Sequence, residues 1–481
     1  MSAHKKSMKT PAALAALLLL ASGLLLAQKN PKDQFVFGPL NKIQMPKVEE
    51  MKLGNGLRVF LVEDHEVPTV SLRALVRTGS VFDPADKAGL AALTGMVLRT
   101  GGTTTRTGDQ IDKELETVAA TVESIIDTTI GSIWVSALKE DTGRALEMLA
   151  DILINPAFRQ DKIDLAKIEL RTVISRRNDQ VGQIADREFN RLIYGQNSPY
   201  ARQIEYATVE ALTREDVLKF YQTYFYPNNT LLAVWGDFNS AALKASLTKT
   251  LGRWKSGRVN VPAWPAVTSV DKATVNFIDK PDVNQSNIIL GHIGGLMNNP
   301  DLPALNVMNS ILSFDRMFKK IRTDEGLAYS VWGSYGSGFD YPGTFSCGAQ
   351  TKSQSTVYAI ELMLKEMKRI TQEEVTDSEL AKAKDQYLNS YVFRFDGRAK
   401  IINRLVYYAY YGYPMDFSDR VKSGVEKVTK ADVLRVARKY LNPDKVQVLV
   451  VGRASDFDKP LSTLGKVNTV DITIPPPAKV K

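Results

Sequence analysis

The strongest constraint on this chain is that part of it is written twice. Residues 213–236, TREDVLKFYQTYFYPNNTLLAVWG, align without a gap on residues 429–452, TKADVLRVARKYLNPDKVQVLVVG. Thr213/Thr429, Asp216/Asp432, Val217/Val433, Leu218/Leu434, Tyr224/Tyr440, Pro227/Pro443, Val234/Val450 and Gly236/Gly452 are identical pairs, each separated by 216 positions. Each copy opens with a Thr-x-x-Asp capping box, continues as a helix, breaks at a Pro turn and ends in a strand-like run. ALEML at 145–149 echoes in AIELML at 359–364, and LAK at 165–167 in LAK at 380–382, at nearly the same spacing. A chain that repeats over this distance folds as two related units.

The copies run from 48 to 252 and from 273 to 464. The linker between them, 253–272, contains SGRVNVPAWPAV (256–267), rich in Pro and Gly and without helical periodicity. Residues 465–481 are expected to form an extended, loose tail. Strand-like LRVFLVE (57–63) and TVNFID (274–279) alternate with helices predicted over 139–153, 161–177 and 356–370. The fold class is α+β (mixed α/β), a tandem duplication of two homologous α/β sandwich-like halves. Each half, at about 200 residues, is large enough for its own core.

Composition limits the chemistry. The chain has three histidines, His4, His65 and His292, and a single cysteine, Cys347. No disulfide can form within it, and a structural Cys/His zinc site lacks ligands. With 44% apolar and 24% charged residues, the composition is that of a folded globular chain. The formal charge of +9 includes Lys5, Lys6 and Lys9, and no basic tract interleaved with aromatics points to nucleic acid. Residues 1–27 read as a secretory signal peptide: those lysines, then an apolar run at 12–27 with small residues near its end, cleaved after Ala27. The run is short for a membrane span, no cysteine follows it to take a lipid, and no second long apolar stretch occurs. The mature chain is expected to be exported without a stable membrane span. Its one unpaired cysteine suits a bacterial periplasm.

Several stretches within the repeat carry a family resemblance. In the first copy these are NGLRVFLVEDHEVPTVSL (55–72), GLAALTGMVLRTGG (89–102) and VLKFYQTYFYPNNTLLAVWGDF (217–238). In the second they are IRTDEGLAYSV (321–331), SELAKAK (378–384) and the YLNPD…VVG ending (440–452). Together they resemble the insulinase/pitrilysin/mitochondrial processing peptidase family over nearly all of the mature chain, in the family's order. The resemblance implies paired α/β halves closing like a clamshell. It also implies zinc held by an inverted H-x-x-E-H helix motif. Two imidazoles four residues apart share a helix face, and the glutamate takes a proton from the zinc-bound water.

Active members read GLAHLLEHM where this chain reads GLAALTGM (89–96). Ala92 and Met96 stand at the two histidine positions and Gly95 at the base. Val173 stands at the distant third ligand, with Glu169 four residues before it. A methyl, a thioether, a hydrogen and an isopropyl group neither hold zinc nor act as a base. His65, in the turn-like EDHEVP, and His292, in the strand-like ILGHIGG, have no second ligand at helical spacing. No metal or other cofactor is therefore expected in this chain, and no zinc-peptidase activity from it alone.

Active relatives also use an arginine, and a tyrosine seven residues later, to hold the substrate carbonyl and stabilise its developing negative charge. Arg322 and Tyr329 occupy that pattern. Gly326 reads as a helix stop, placing Arg322 in a last turn, where the helix dipole favours it, and Tyr329 early in the next strand. Alternation with Leu327 and Val331 would equally fit a tyrosine lying over a core. The preceding ILSFDRMF (311–318) lacks the glycines of the family's loop and is a few residues short. In relatives built from two chains, one carries H-x-x-E-H and its partner the arginine and tyrosine. The resemblance thus implies a non-catalytic subunit of a zinc-metallopeptidase heterodimer or larger assembly, with zinc in the H-x-x-E-H partner. A peptide or unfolded protein would be the substrate, docking on a sheet edge around 118–126. A peptide-binding or structural scaffold without a peptidase partner is the alternative.

Overall fold

The computed structural model describes residues 45–268, 270 and 272–477; the signal peptide expected at 1–27 lies outside them. Among the described residues no helix is long and apolar enough to cross a membrane.

The first half contributes β1 (Glu49–Lys52), β2 (Arg58–Glu63), β3 (Thr69–Val76), β4 (Thr121–Ile126), β5 (Gly131–Leu138) and β6 (Thr230–Gly236), in the sheet order β1-β2-β6-β3-β5-β4. The second contributes β7 (Thr274–Asp279), β8 (Gln285–Ile293), β9 (Gly295–Leu296), β10 (Ala328–Tyr335), β11 (Ser337–Gly338), β12 (Thr344–Lys352), β13 (Gln447–Gly452) and β14 (Val467–Thr469). Six of these form the order β10-β12-β8-β13-β7-β14, while β9 and β11 make a separate parallel pair.

In the three central strands of each sheet the register repeats residue for residue. Leu232 of β6 lies opposite Val59 of β2 and Ala74 of β3. At 216 positions further on, Val448 of β13 lies opposite Val275 of β7 and Leu290 of β8. The central β6 and β13 are apolar along most of their length because both of their faces are covered. The helix before each is capped as expected. Thr213 accepts from the Asp216 N–H and donates its own backbone N–H to the Asp216 carboxylate at 2.9 Å; Thr429 and Asp432 do the same at 3.1 Å. The helices expected over 139–153, 161–177 and 356–370 occur as Thr142–Ile154, Gln160–Arg176 and Thr356–Gln372, with Lys139–Asp141 forming a 3-10 turn ahead of the first.

One face of each sheet is buried by helices of its own half, giving two large cores. The other face is covered from across the repeat. Phe60, Val62, Leu75, Leu231 and Ala233 of the first sheet pack against Ile402, Val406, Ala409 and Tyr410 of the second-half helix Arg398–Tyr411. Ile278, Ile289, Leu449 and Val451 of the second sheet pack against Ile184, Ala185, Phe189 and Ile193 of the first-half helix Val181–Tyr194. The two arms are equivalent elements of 14 residues each, starting 217 positions apart, and each half lends its arm to the other.

The tail departs from expectation. Extended it is, but β14 adds to β7 as a parallel edge strand. The Val470 N–H donates to Phe277 O at 2.8 Å, and Asn178 Nδ2 donates to Ile472 O at 2.7 Å.

Candidate functional site

The positions of the missing zinc site lie on the helix Leu90–Thr100. Its N-terminus is held by Asp83, whose carboxylate accepts from the Gly89 and Ala91 N–H groups at 3.0 Å each. Burial pushes Asp83 up to about 7 against the pull of those donors. Ala92 and Met96 are half-buried and pack against the main core of the first half. Gly95 is buried on β4: a Cβ at this position would lie 2.7 Å from the Ile126 nitrogen, and Ser124 Oγ donates to Gly95 O at 2.6 Å. The strand backbone thus occupies the space a glutamate side chain would need. Val173, on the Gln160–Arg176 helix, is 61% exposed, and Glu169 is exposed beside it. The donor set does not fit zinc, and helix packing has closed the place of the base.

Among the described residues no group of three or more His, Cys, Asp and Glu is placed to hold a metal. His292 sits on β8 as a neutral ring. Its Nδ1–H donates to Ile293 O at 2.7 Å, Nε2 accepts from the Asn442 N–H at 3.2 Å, and burial holds its pKa below the ordinary value. Cys347 is fully buried on β12, which pushes its thiol up to about 12. His65 does more than fill a turn. Its Nδ1 contacts Asp237 and its Nε2 contacts Glu63 at 3.1 Å, so its pKa is raised, first by Asp237 and then by Glu63. Lys139 Nζ adds two bonds to Asp237 at 2.8 Å.

Arg322 and Tyr329 come together at the opposite repeat. The helix Leu302–Ser310 runs without a break into a wide π-helix, Ile311–Asp324, closed by the Glu325 N–H donating to Lys320 O at 3.1 Å. Buried Leu312, Met317 and Ile321 recur at five and then four positions, the spacing of i→i+5 winding; that pattern was legible in ILSFDRMFKKIR and was missed. The short segment also has a cause. In the first half Ser124 lies opposite Ile133, which lies opposite Ala74; in the second, Gly333 lies opposite Cys347, which lies opposite Leu290. Ala74 and Leu290 are 216 apart but Ser124 and Gly333 only 209, so seven residues are gone. Over this stretch the second half has one continuous helical run, from Leu302 to Asp324, where the first has the helices Leu90–Thr100 and Gly108–Thr117 joined by 101–107.

Gly326, at φ 62°, turns the chain out of the π-helix and into β10. The β10–β12 register shifts between Ala328 and Ser330, leaving Tyr329 as a bulged residue on the free edge of the second sheet. Bulges re-aim side chains. Here the bulge breaks the Leu327/Tyr329/Val331 alternation, so Tyr329 is 78% exposed rather than lying over a core, while Val331 is buried. The Arg322 guanidinium lies 5.5 Å from the Tyr329 ring centre and 4.9 Å from that of Phe318. It is exposed and, among the described residues, has no ion-pair or hydrogen-bond partner. An exposed cation braced on two rings, beside an exposed hydroxyl, can donate to an incoming carbonyl oxygen. The strand expected near 118–126 is β4, the free edge of the first sheet.

A family model described as insulinase (peptidase family M16) matches residues 58–203, and one described as peptidase M16 inactive domain matches residues 211–387. An uncharacterized zinc protease of Rickettsia felis is 27% identical over 347 residues, covering 70% of this chain and 81% of the relative. A non-peptidase homolog, YmxG, of Helicobacter pylori is 23% identical over 382 residues, covering 78% and 87%. Among solved structures, the periplasmic protease PqqL of Escherichia coli superposes with a TM-score of 0.71 at 16% identity, covering 92% of this chain and 51% of that one. At that identity the superposition shows the fold.

Proposed function

The chain belongs to the insulinase family of peptidases, of which it is a non-catalytic homologue, and from that premise we propose that it is the substrate-holding subunit of an exported zinc-metallopeptidase assembly. Zinc resides in a partner chain with an intact H-x-x-E-H, and the assembly works in the bacterial periplasm on peptide or unfolded protein. Arg322 and Tyr329 reach the partner's metal site and hold the substrate carbonyl as charge develops on its oxygen. The observation that carries this reading is the contrast between the two halves. β4 packs on Gly95, where the resemblance places the base, whereas Arg322, in the last turn of the π-helix, and Tyr329, on a free sheet edge, stand exposed, the guanidinium braced on two rings and without an ion-pair or hydrogen-bond partner among the described residues. The half-length match to PqqL supports it, since a chain of this size corresponds to one half of that protease.

The test is copurification from the native cell followed by reconstitution. An H-x-x-E-H chain is expected in equal amount. In the reconstituted enzyme Arg322→Ala and Tyr329→Phe should lower kcat by about tenfold or more, with the zinc content unchanged. Wild-type turnover in both variants removes their proposed role, and recovery of unrelated proteins alone favours a scaffold. Chelator-sensitive cleavage by this chain in isolation overturns the proposal altogether.

A further inference from the structure

Three arginines converge on one cavity and, among the described residues, none of them is paired with a carboxylate. Arg73 on β3, Arg394 just before the Arg398–Tyr411 arm and Arg404 within it line a cavity of about 550 Å3 together with Lys400, Phe339 and Tyr407. Neutral groups hold the Arg73 guanidinium: Nε donates to Ser132 Oγ at 3.1 Å, Nη1 to Asn403 Oδ1 at 2.8 Å and Nη2 to the Tyr407 hydroxyl at 3.0 Å. Arg394 Nη1 donates to the Tyr387 hydroxyl at 3.1 Å and lies over that ring. Arg404 lies over Phe395, and its buried Nε has no hydrogen-bond partner among the described residues. Lys400 is already paired with Asp396 at 2.7 Å. Three like charges facing one cavity repel each other in the free protein, and an anion relieves that repulsion.

Guanidinium forks accept carboxylates and phosphates alike. The surface leading to the cavity selects between them. Trp134 lies opposite Arg73 and Glu123 opposite Trp134, so one face runs from the cavity to the free edge of β4. On it Trp134 and Ile125 are 38% and 44% exposed. An unpaired strand edge beside an exposed aromatic suits an extended polypeptide, which takes main-chain bonds from the edge and cover from the ring. A free phosphate uses neither. Glu123 is two strands from Arg73, about 10 Å, too far to neutralise it, and it repels an acidic group from the edge towards the arginines.

We infer that this cavity binds the carboxylate of an extended peptide, an acidic side chain or a free C-terminus, whose neighbouring residue is aromatic or aliphatic. The site lies wholly within this chain, contains neither Arg322 nor Tyr329, and needs no catalytic partner.

The mature chain alone is titrated into a short fluorescein-labelled peptide ending in Phe-Glu with a free C-terminus, and into its twin ending in Phe-Gln with a C-terminal amide. The neutral twin is expected to bind about tenfold more weakly or worse, and added salt to weaken the acidic peptide more than the neutral one. Arg394→Gln and Arg404→Gln should each lower affinity for the acidic peptide about tenfold, while Lys249→Gln, on the exposed face of the Ser240–Leu251 helix, leaves it unchanged. Arg394 bonds only to a tyrosine, so its variant is the one that keeps the fold, and thermal melting verifies this. Equal affinity for the twin peptides, or an Arg394→Gln protein that binds as wild type, overturns the inference. So does tripolyphosphate binding at the arginines in the absence of any peptide binding.

Discussion

At the scale of single residues, Gly95 and Tyr329 show opposite outcomes of the same duplication. Reading GLAALTGM against the zinc motif identifies which groups are missing, because ligand chemistry is a property of residue type. That β4 packs against Gly95, where the resemblance places the base, is a contact between residues some thirty positions apart, and no local pattern reports it. It does make a prediction. Gly-to-Ala in a helix interior ordinarily gains about 1 kcal/mol, but here the new Cβ would meet the Ile126 nitrogen at 2.7 Å. Forcing an atom into a close-packed contact costs about 1–3 kcal/mol. Gly95→Ala should therefore fail to stabilise, with a net loss of up to about 2 kcal/mol in urea unfolding. A stabilised variant would show that the helix does not lie on the strand. The resemblance, with Gly326 as a helix stop, pairs Tyr329 with Arg322, but the exposure of Tyr329 depends on a bulge, which regular alternation cannot reveal.

Among elements, the repeat was the most legible feature, because identical residues at one lag impose identical caps, strand ends and register. What differs between the halves was less legible. Strand pairing shows that the second half is seven residues shorter between equivalent positions, over the stretch where it forms the π-helix. The strap between the ends of β2 and β6 is not repeated as an ion pair, since Pro281 and Arg453 stand where His65 and Asp237 would repeat and meet through Arg453 Nη1 donating to Pro281 O at 3.5 Å. Asp237, then Glu63, raise the His65 pKa above its ordinary 6.5, while Lys139 shares Asp237. A pKa raised on folding means that the folded state holds the proton more tightly. The stabilisation is fully present below the unfolded value and is lost as pH rises through the folded one. Asp237 and Glu63 have lowered values and stay charged throughout that window. The Tm difference between wild type and His65→Gln should be largest near about pH 5.5 and close towards about pH 8.5. A difference that widens with pH would show that the strap does not depend on the imidazolium.

For the whole molecule, the exchanged arms decide whether the halves are separable. Each arm buries four apolar side chains on the other half's sheet. Three of the four on each arm are large, and at about 1.5–3 kcal/mol per fully buried large side chain they contribute roughly 5–9 kcal/mol, as an upper estimate, against a total stability of about 5–15 kcal/mol for a typical domain. Residues 46–257 expressed alone should aggregate or bind a hydrophobic dye, and coexpression with 258–477 should recover a soluble 1:1 complex. A cooperative, monomeric 46–257 melting within a few degrees of the full chain would contradict this. Sequence by itself determined the duplication and the α+β class, because periodicity is written locally; the positions of the zinc ligands and of the Arg322 and Tyr329 pair are what the family resemblance implies. Tertiary structure alone decided that each half completes its partner's sheet, that β4 packs against Gly95, that Tyr329 faces solvent, and that Arg73, Arg394 and Arg404 share a cavity. Each of these is a meeting of residues far apart in the chain. Such meetings are set by how surfaces pack rather than by any pattern along the sequence.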